Sequence, residues 1–249
     1  MTIFGTKHDA VAPAPQPWER ATDALASTVA VAGLDLAMPL DVARYNAAVP
    51  EPYRVDTFGR EHPLGVLLGN TKALWPCFVE ALEDEALASN ADPLDTYVMQ
   101  RVGDALLDLP YATEAYFVHE PPPRRVAMQR LADLSGLAPL SETTHLNVHP
   151  EYGPWIALRA LVVIDVDGPA EAPTRAEVCV DCASTCGAQV TRAITSGDWR
   201  DWLAVREACP VGRTHRYSDA QIRYHYEKNR DALRRFAETG VWTNDEGGC

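Results

Sequence analysis

The stretch of sequence that decides the fold is Trp155-Ile-Ala-Leu-Arg-Ala-Leu-Val-Val-Ile-Asp-Val166. Residues 157–164 are almost uninterrupted apolar and rich in branched side chains, which predicts a strand buried on both faces of a sheet. Residues 146–149 predict a neighbouring strand, joined to the first by a tight turn that contains Pro and Gly. We therefore expect two central strands here.

Apolar spacing elsewhere predicts two more strands and six helices. The strands are expected at 64–68 and 115–118. The helices are expected at 18–31, 73–88, 94–109, 124–137, 198–208 and 218–238. The last begins with Ser218-Asp-Ala-Gln221, the pattern of a capping box. Helices alternating with few strands predict a layered α+β domain with a mixed sheet.

Length and composition indicate one globular unit. The chain has 249 residues, of which 47% are hydrophobic and 23% charged, enough to enclose one sizeable core. Residues 1–17 carry three prolines among alanines, so we expect a flexible leader there. A single domain is expected over 18–240, followed by a flexible tail at 241–249.

Charge and hydropathy exclude several partners. The net charge of −13 repels nucleic-acid phosphates. No apolar run approaches the roughly 20 residues that span a bilayer, and no secretion signal begins the chain, so we expect a cytoplasmic protein without membrane contact. The patterns of dinucleotide-binding loops, P-loops and α/β-hydrolase nucleophiles are absent from the sequence, which weakens those functions.

Arg159 lies inside the apolar strand. An unpaired guanidinium buried there would cost several kcal/mol, so it must find an anion. The alternatives are an internal carboxylate and a ligand carboxylate or phosphate held by its fork of donors. Arg206 and Arg230, on two later helices, would converge with it on one anionic ligand, or else remain solvated surface charges.

The densest group of metal-ligating residues is Cys179-Val-Asp-Cys182-Ala-Ser-Thr-Cys186. Its CxxC step lets two thiolates reach one ion, and the third cysteine follows closely. Cys209 or His215 would complete a zinc site, and four thiolates would hold an iron–sulfur cluster. The alternatives are ordinary reduced thiols and a redox or substrate-directed role, because CxxC thiols often have lowered pKa values.

Several segments, taken in order, resemble the cobalamin-processing family known as CblC or MMACHC. The strongest are 149–159 and 199–218, with weaker support from 43–46 (Ala-Arg-Tyr-Asn), 92–95 (Asp-Pro-Leu-Asp) and Val118-His119. Together they extend over most of 33–236. The resemblance implies a flavin-reductase (nitroreductase-like) fold with a mainly antiparallel central sheet flanked by helices.

The resemblance also implies an activity. Family members bind cobalamin base-off and remove its upper axial ligand, either cyanide reductively with reduced flavin (FMN or FAD), or an alkyl group by transfer to glutathione. The family's three glutathione-contacting arginines match Arg159, Arg206 and Arg230. They would position a small thiol beside the cobalt as a catalytic set.

The family's cobalamin contacts also have matching positions in this chain. They fall on Ala115, Val126, Ala127, Met128, Gln129, Leu140, Ser141, Glu142, Asn147 and Leu158. Gln129 matches closely, whereas Leu140-Ser-Glu142 replaces an aromatic-aromatic-Gln stretch and Asp133 replaces a histidine. The loop at 142–147 is shorter than in the animal proteins, which also have no counterpart of the cysteine cluster.

The function therefore has one leading hypothesis and three alternatives. The leading one is an enzyme that processes cobalamin, with a protein partner for corrinoid delivery or reduction. The alternatives are a cobalamin-dependent catalyst or corrinoid carrier with a cysteine-bound metal, a non-enzymatic cobalamin-binding module, and a flavin-only reductase. Either a monomer or a homodimer is compatible with the sequence.

Overall fold

The predicted apolar strand lies inside a four-stranded sheet. The computed structural model describes residues 14–179 and 183–243. Its strands are β1 (Leu36–Asp41), β2 (Pro63–Asn70), β3 (Thr113–Phe117) and β4 (Ala157–Asp167), in the order β1-β2-β4-β3. Strand β4 is therefore interior, as its near-continuous apolar run predicts.

Helices surround this sheet. They are α1 (Pro17–Ala30), α2 (Val42–Ala48), α3 (Leu74–Ala81), α4 (Glu85–Ala88), α5 (Pro93–Leu107), α6 (Met128–Leu134), α7 (Ala183–Ser196), α8 (Trp199–Ala208), α9 (Asp219–Glu227) and α10 (Arg230–Thr239), with 3₁₀ turns at Glu51–Tyr53 and Arg213–His215. Side chains of Ser218 and Asn229 cap the last two α-helices by accepting from backbone amides.

Alternate residues of β4 enter two hydrophobic cores on opposite faces of the sheet. Val162 and Ile164 pack with α1, α3 and α5, whereas Leu161 and Val163 pack with α2 and α6. All four side chains are fully buried. Apolar side chains on both faces of the strand thus fix it at the centre of the layers. The expected α+β class is confirmed.

Two expectations about the sheet are wrong. Every strand pairing in the described residues is antiparallel, so the sheet is not mixed. Residues 146–149 form only isolated bridges, one of them between His149 and Gly153, because their backbone groups bond within the loop. Strand β1 was not predicted, because Pro39 interrupts it; as an edge strand it tolerates the missing donor.

Three of the expected helices have different boundaries, and two helices, α2 and α7, were not predicted. The expected helix at 73–88 divides into α3 and α4, and the one at 124–137 shortens to α6. The one at 218–238 divides into α9 and α10 at Lys228, whose backbone is left-handed (φ 51°). Helix α7 was missed, because its sequence is dominated by small and polar residues whose apolar period is weak.

The chain ends are described only in part. Residues 1–13 of the expected leader and 244–249 of the expected tail lie outside the described residues. Pro17, placed in the leader, is instead the first residue of α1. Within 14–179 and 183–243, none of the helices has the length and apolar character needed to cross a membrane.

A cationic cleft at the start of the last strand

A cleft of about 350 Å³ opens where β4 begins. One part of it is apolar, formed by Val118, Met128, Leu146, Pro154, Ile156, Ala157 and Leu158. The other part is charged and polar, formed by Asp95, Gln129, Asn147, Arg159, Arg206, His225 and Lys228. Concave sites that join an apolar wall to a few convergent polar groups are typical of small-molecule binding.

Arg159 reaches this cleft from a β-bulge. The register of β2 and β4 pairs Leu68 with Ala160 and Gly69 with Leu158, so Arg159 is the extra residue between them. Bulges bend a strand locally and re-aim a side chain, and they are common beside functional sites. A single unpaired position thus turns an arginine of an apolar strand toward the cleft.

The guanidinium of Arg159 is buried without a described carboxylate in contact. The residue is 9% exposed, and its Nε donates to Oδ1 of Asn70 at 2.7 Å. No carboxylate of the described residues lies within 4.0 Å of it, and burial lowers its pKa. The first alternative that the sequence left open, an internal carboxylate in direct contact, is therefore not found among residues 14–179 and 183–243; Asp95 acts on the guanidinium only from a longer distance.

Arg206 approaches the same cleft from the last turn of α8. Its Nη1 donates to the carbonyl of Pro154 at 2.6 Å, which fixes the side chain beside the turn that precedes β4. It makes no ion pair with a described carboxylate. Two of the three predicted arginines thus line one cleft, and neither contacts a described carboxylate, although Asp95 of the same cleft acts on Arg159 through its charge.

Residues 217–221 contain two buried polar atoms that have no hydrogen-bond partner among the described residues. They are the hydroxyl of Tyr217, on which Arg206 and Arg159 act through their charges, and Oε1 of Gln221. Burial raises the pKa of Tyr217 to about 12, although the charges of Arg206 and Arg159 act in the opposite direction. Buried polar groups are normally satisfied, so these atoms indicate a site for a polar ligand or water.

Three residues of the cleft were not predicted from the sequence. Burial and the charges of Arg206, Arg159 and Lys228 lower the pKa of His225 to about 3, so its ring is neutral at pH 7. Lys228 extends from the left-handed turn between α9 and α10. Asp95 lies in the first turn of α5. Asp95 is far from His225 and Lys228 in the sequence, so no local pattern connects it with them.

Arg230, the third predicted arginine, is not among the cleft residues. It is exposed at the start of α10, and its Nη1 donates to the carbonyl of Asn90 at 3.3 Å. Arg159 and Arg206 are therefore brought together, whereas Arg230 lies outside the lining. Its role in thiol binding stays a prediction.

The predicted corrinoid contacts divide between the cleft and its surroundings. Met128, Gln129, Asn147 and Leu158 line the cleft. Ala115, Val126 and Ala127 do not, and Leu140, Ser141 and Glu142 border another pocket that shares no lining residue with the cleft.

Asn147 supports the wall of the cleft. Its Nδ2 donates to the carbonyls of Gln129 and Ala138 at 3.0 and 2.8 Å. Both amide hydrogens are therefore used within the protein, and Oδ1 is the atom left to meet a ligand.

The predicted metal ligands are only partly described. Cys179, Cys186 and Cys209 line one small cavity of about 50 Å³, which shares Leu146 and Pro154 with the cleft. Cys182 lies outside the described residues. Among those that are described, no three His, Cys, Asp or Glu side chains form a group that could hold a metal ion.

Fold and cleft together define an α+β protein with a cationic cleft suited to a small anionic ligand. No protein-family model matches the sequence. The Danio rerio protein named cyanocobalamin reductase / alkylcobalamin dealkylase is 30% identical over 213 residues, which cover 75% of this chain and 80% of that protein. The Bos taurus protein of the same name is 28% identical over 206 residues, covering 75% and 71%.

The fold has a counterpart among solved structures. The crystal structure of a C. elegans B12-trafficking protein, CblC, is similar with a TM-score of 0.73 at 16% sequence identity, over 90% of this chain and 98% of that one. The chain belongs to the cyanocobalamin reductase / alkylcobalamin dealkylase family. The family expected from residues 149–159 and 199–218 is confirmed.

Proposed function

We propose that this protein binds cobalamin and removes its upper axial ligand. The observation that carries the proposal is the buried guanidinium of Arg159, which lines the cleft together with Arg206 and contacts no described carboxylate. A site that retains such a costly group needs an anionic ligand to compensate it. In a member of this family, that ligand is the thiol co-substrate.

The apolar wall of the cleft would contact the corrin ring. A cleft of about 350 Å³ is at the small end of the roughly 300–1,000 Å³ that drug-sized ligands occupy, so it holds a thiol and only one face of a corrinoid. Met128 and Leu158 would contact the corrin, and Gln129 its amide groups. Base-off binding would make the cobalt easier to reduce, because loss of the lower donor lowers the energy of its antibonding orbital.

Dealkylation then requires a thiolate held in line with the cobalt–carbon bond. The thiolate sulfur forms a bond to the alkyl carbon, and both electrons of the broken bond remain on cobalt, so Co(III) becomes Co(I) and a thioether leaves. Arg159 and Arg206 would bind the carboxylates of glutathione and fix its sulfur at near-attack distance. The protein contributes orientation and exclusion of water.

Decyanation requires electrons in place of a thiolate. Reduced flavin would supply them, as the family resemblance implies, and cyanide would leave as the cobalt is reduced. This chain's contribution in that reaction is the corrinoid site itself, with Gln129 and Leu158 in its wall. The flavin-reductase-like fold and a protein partner for delivery stay predictions.

One observation favours an alternative function. Cys179, Cys186 and Cys209 line one cavity that shares Leu146 and Pro154 with the cleft, although in this arrangement they do not form a group that could hold a metal ion. Elemental analysis separates the two. About one zinc or four irons per chain, lost in Cys186→Ser, would favour a carrier or cobalamin-dependent catalyst, whereas metal-free active protein would exclude it.

A cobalamin titration tests the corrinoid half of the proposal. Equimolar methylcobalamin added to the protein should shift the visible spectrum to the base-off form, and the pigment should elute with the protein on gel filtration. An unchanged spectrum, with all pigment eluting as the free molecule, would overturn the proposal.

A further inference from the structure

Helices α7 and α8 form an antiparallel hairpin. Only Gly197 and Asp198 join them, and the two helices pack against each other. An ion pair between Nε of Arg192 and Oδ1 of Asp201, at 2.7 Å, connects them beside this turn. Neighbouring helices joined by so short a loop run in opposite directions, so residues at equal distances from the turn lie opposite each other.

The buried contacts between the two helices follow this pairing. Ala193 and Trp202 lie four residues before and after the turn at 197–198. Val190 and Val205 lie seven residues before and after it. All four belong to one hydrophobic cluster. Steps of three and four residues keep side chains on one face of a helix, so these residues form the interface between α7 and α8.

Cys186 and Cys209 continue this interface by one further step. They lie eleven residues before and after the turn, four residues beyond Val190 and Val205. Cys186 is 6% exposed in the first turn of α7, and Cys209 is half-buried directly after the last residue of α8. Both line the cavity of about 50 Å³. Facing positions of two packed helices, with space beside the sulfurs, allow a disulfide to form with a small shift of the backbone.

The cavity beside the two cysteines shares a wall with the cleft. Leu146 and Pro154 line both. Arg206, three residues before Cys209, lines the cleft and donates from Nη1 to the carbonyl of Pro154 at 2.6 Å. A displacement of the last turn of α8 therefore moves a cationic side chain of the cleft.

We propose that Cys186 and Cys209 are a redox-active pair that forms a reversible disulfide between α7 and α8, and that this bond weakens binding of cobalamin in the cleft. The oxidant is a low-molecular-weight disulfide. The disulfide itself is independent of the proposed function, whereas its effect on cobalamin rests on that function. Because the sulfur atoms of a disulfide are only about 2.05 Å apart, the bond draws the last turn of α8, with Arg206, toward α7.

The bond forms by two successive thiol–disulfide exchanges. The thiolate of Cys209, the more exposed of the two, attacks one sulfur of the small disulfide, whose S–S bond breaks. One small thiolate leaves and takes up the proton that Cys209 released. The thiolate of Cys186 then attacks Sγ of Cys209, and the second small thiolate leaves in the same way. Two protein thiols are thus oxidised while one small disulfide is reduced to two thiols.

Peptide mapping of the oxidised protein tests the pairing. The full chain is treated with oxidised glutathione, digested without reduction and analysed by mass spectrometry, and a second sample is then treated with dithiothreitol. We expect a peptide that joins Cys186 to Cys209, the loss of two titratable thiols, and their return with dithiothreitol. The thermal midpoint should rise on oxidation, because the bond closes a loop of the unfolded chain.

Serine variants assign the bond. Cys186→Ser and Cys209→Ser should each abolish the internal crosslink. Cys179→Ser is a matched control, because Cys179 lines the same cavity but is exposed and lies before α7, outside the interface of the two helices. Cys77→Ser on α3 is a second control. Both control variants should form the crosslink as the unmodified protein does.

A methylcobalamin titration of both redox states tests the effect on the cleft. The oxidised protein should bind methylcobalamin roughly 5-fold or more weakly than the reduced protein, which is the lower end of common couplings between two sites. Cys209→Ser treated with oxidised glutathione should bind it as the reduced unmodified protein does.

The outcomes separate this inference from the proposed function. A map of the unmodified protein that joins Cys186 or Cys209 to a different cysteine, or shows no internal crosslink, would overturn the pair. A metal ion that must be removed before the bond forms would also overturn it. Equal methylcobalamin affinity of the two redox states would refute the effect on the cleft. If neither state binds cobalamin, the proposed function and that effect are both wrong, whereas the map still decides the disulfide.

Discussion

At the scale of the residue, the proposed function depends mainly on Arg159. Its position in an apolar strand already predicts that it must find an anion, and the structure removes the simplest solution, since no described carboxylate pairs with it. What the sequence could not supply is the identity of its neighbours. Asp95 comes from α5, and His225 and Lys228 come from the end of α9, so their convergence depends on the fold.

Arg159→Gln tests whether Arg159 contributes to activity and not to the free energy of unfolding. The variant keeps a donor for Asn70 and removes the buried charge, so the free energy of unfolding should fall by no more than about 1 kcal/mol or should rise. The kcat/KM for glutathione-dependent dealkylation should fall roughly 10- to 100-fold, the effect of losing a charge-assisted hydrogen bond. Urea unfolding and steady-state rates measure both. Strong destabilisation with activity preserved per folded molecule would contradict this account.

The lowered pKa of His225 predicts how the free energy of unfolding depends on pH. Its folded pKa is about 3, below the unfolded value near 6.5, so the unfolded chain binds the proton first. Stability is therefore full above pH 6.5 and decreases toward pH 3, by up to about 1.4 kcal/mol per pH unit from this group. His225→Gln should flatten the decrease in the free energy of unfolding between pH 6.5 and 4.5.

His62 is a control, because its pKa is shifted in the opposite direction to that of His225. A hydrogen bond to Asp41 raises its pKa, so its contribution is present at low pH and is lost as pH rises through the raised value. His62→Gln should therefore remove a decrease in the free energy of unfolding that lies above pH 6.5, between the unfolded and the raised folded pKa, and leave the slope below pH 6.5 unchanged. Identical pH profiles for the unmodified protein and His225→Gln would show that His225 is not neutral and buried as described.

At the scale of the element, strongly apolar segments were predictable and local exceptions were not. The length and branching of β4 identified a central strand, and its partner β2 was expected at 64–68. The bulge at Arg159 and the helix break at Lys228 have no comparable signature. Gly69 was the one hint, since glycine inside a strand often marks a bulge.

The turn between α9 and α10 gives a prediction at this scale. Lys228→Gly should raise the free energy of unfolding by about 1 kcal/mol, because glycine adopts the left-handed conformation without steric cost. Lys228→Ala keeps the backbone cost and should leave stability nearly unchanged. Thermal unfolding of both variants measures the difference. Equal stability of the glycine and alanine variants would show that the turn is not strained.

At the scale of the whole molecule, the sheet brings distant residues to one end of β4. One core fixes the helices that carry Asp95 and His225, and the other fixes Met128 and the loop with Asn147. This convergence explains why the family and the arginines could be expected from the sequence, whereas the shape and charge pattern of the cleft could not.

A single-turnover measurement of methyl transfer shows whether this protein dealkylates cobalamin with a thiol. The protein is loaded with methylcobalamin, mixed with glutathione without oxygen, and followed in the visible range while the products are quantified. We predict conversion to cob(I)alamin with one S-methylglutathione formed per cobalt, and much slower conversion in Arg159→Gln. A methylcobalamin spectrum that persists with no S-methylglutathione formed would contradict the account.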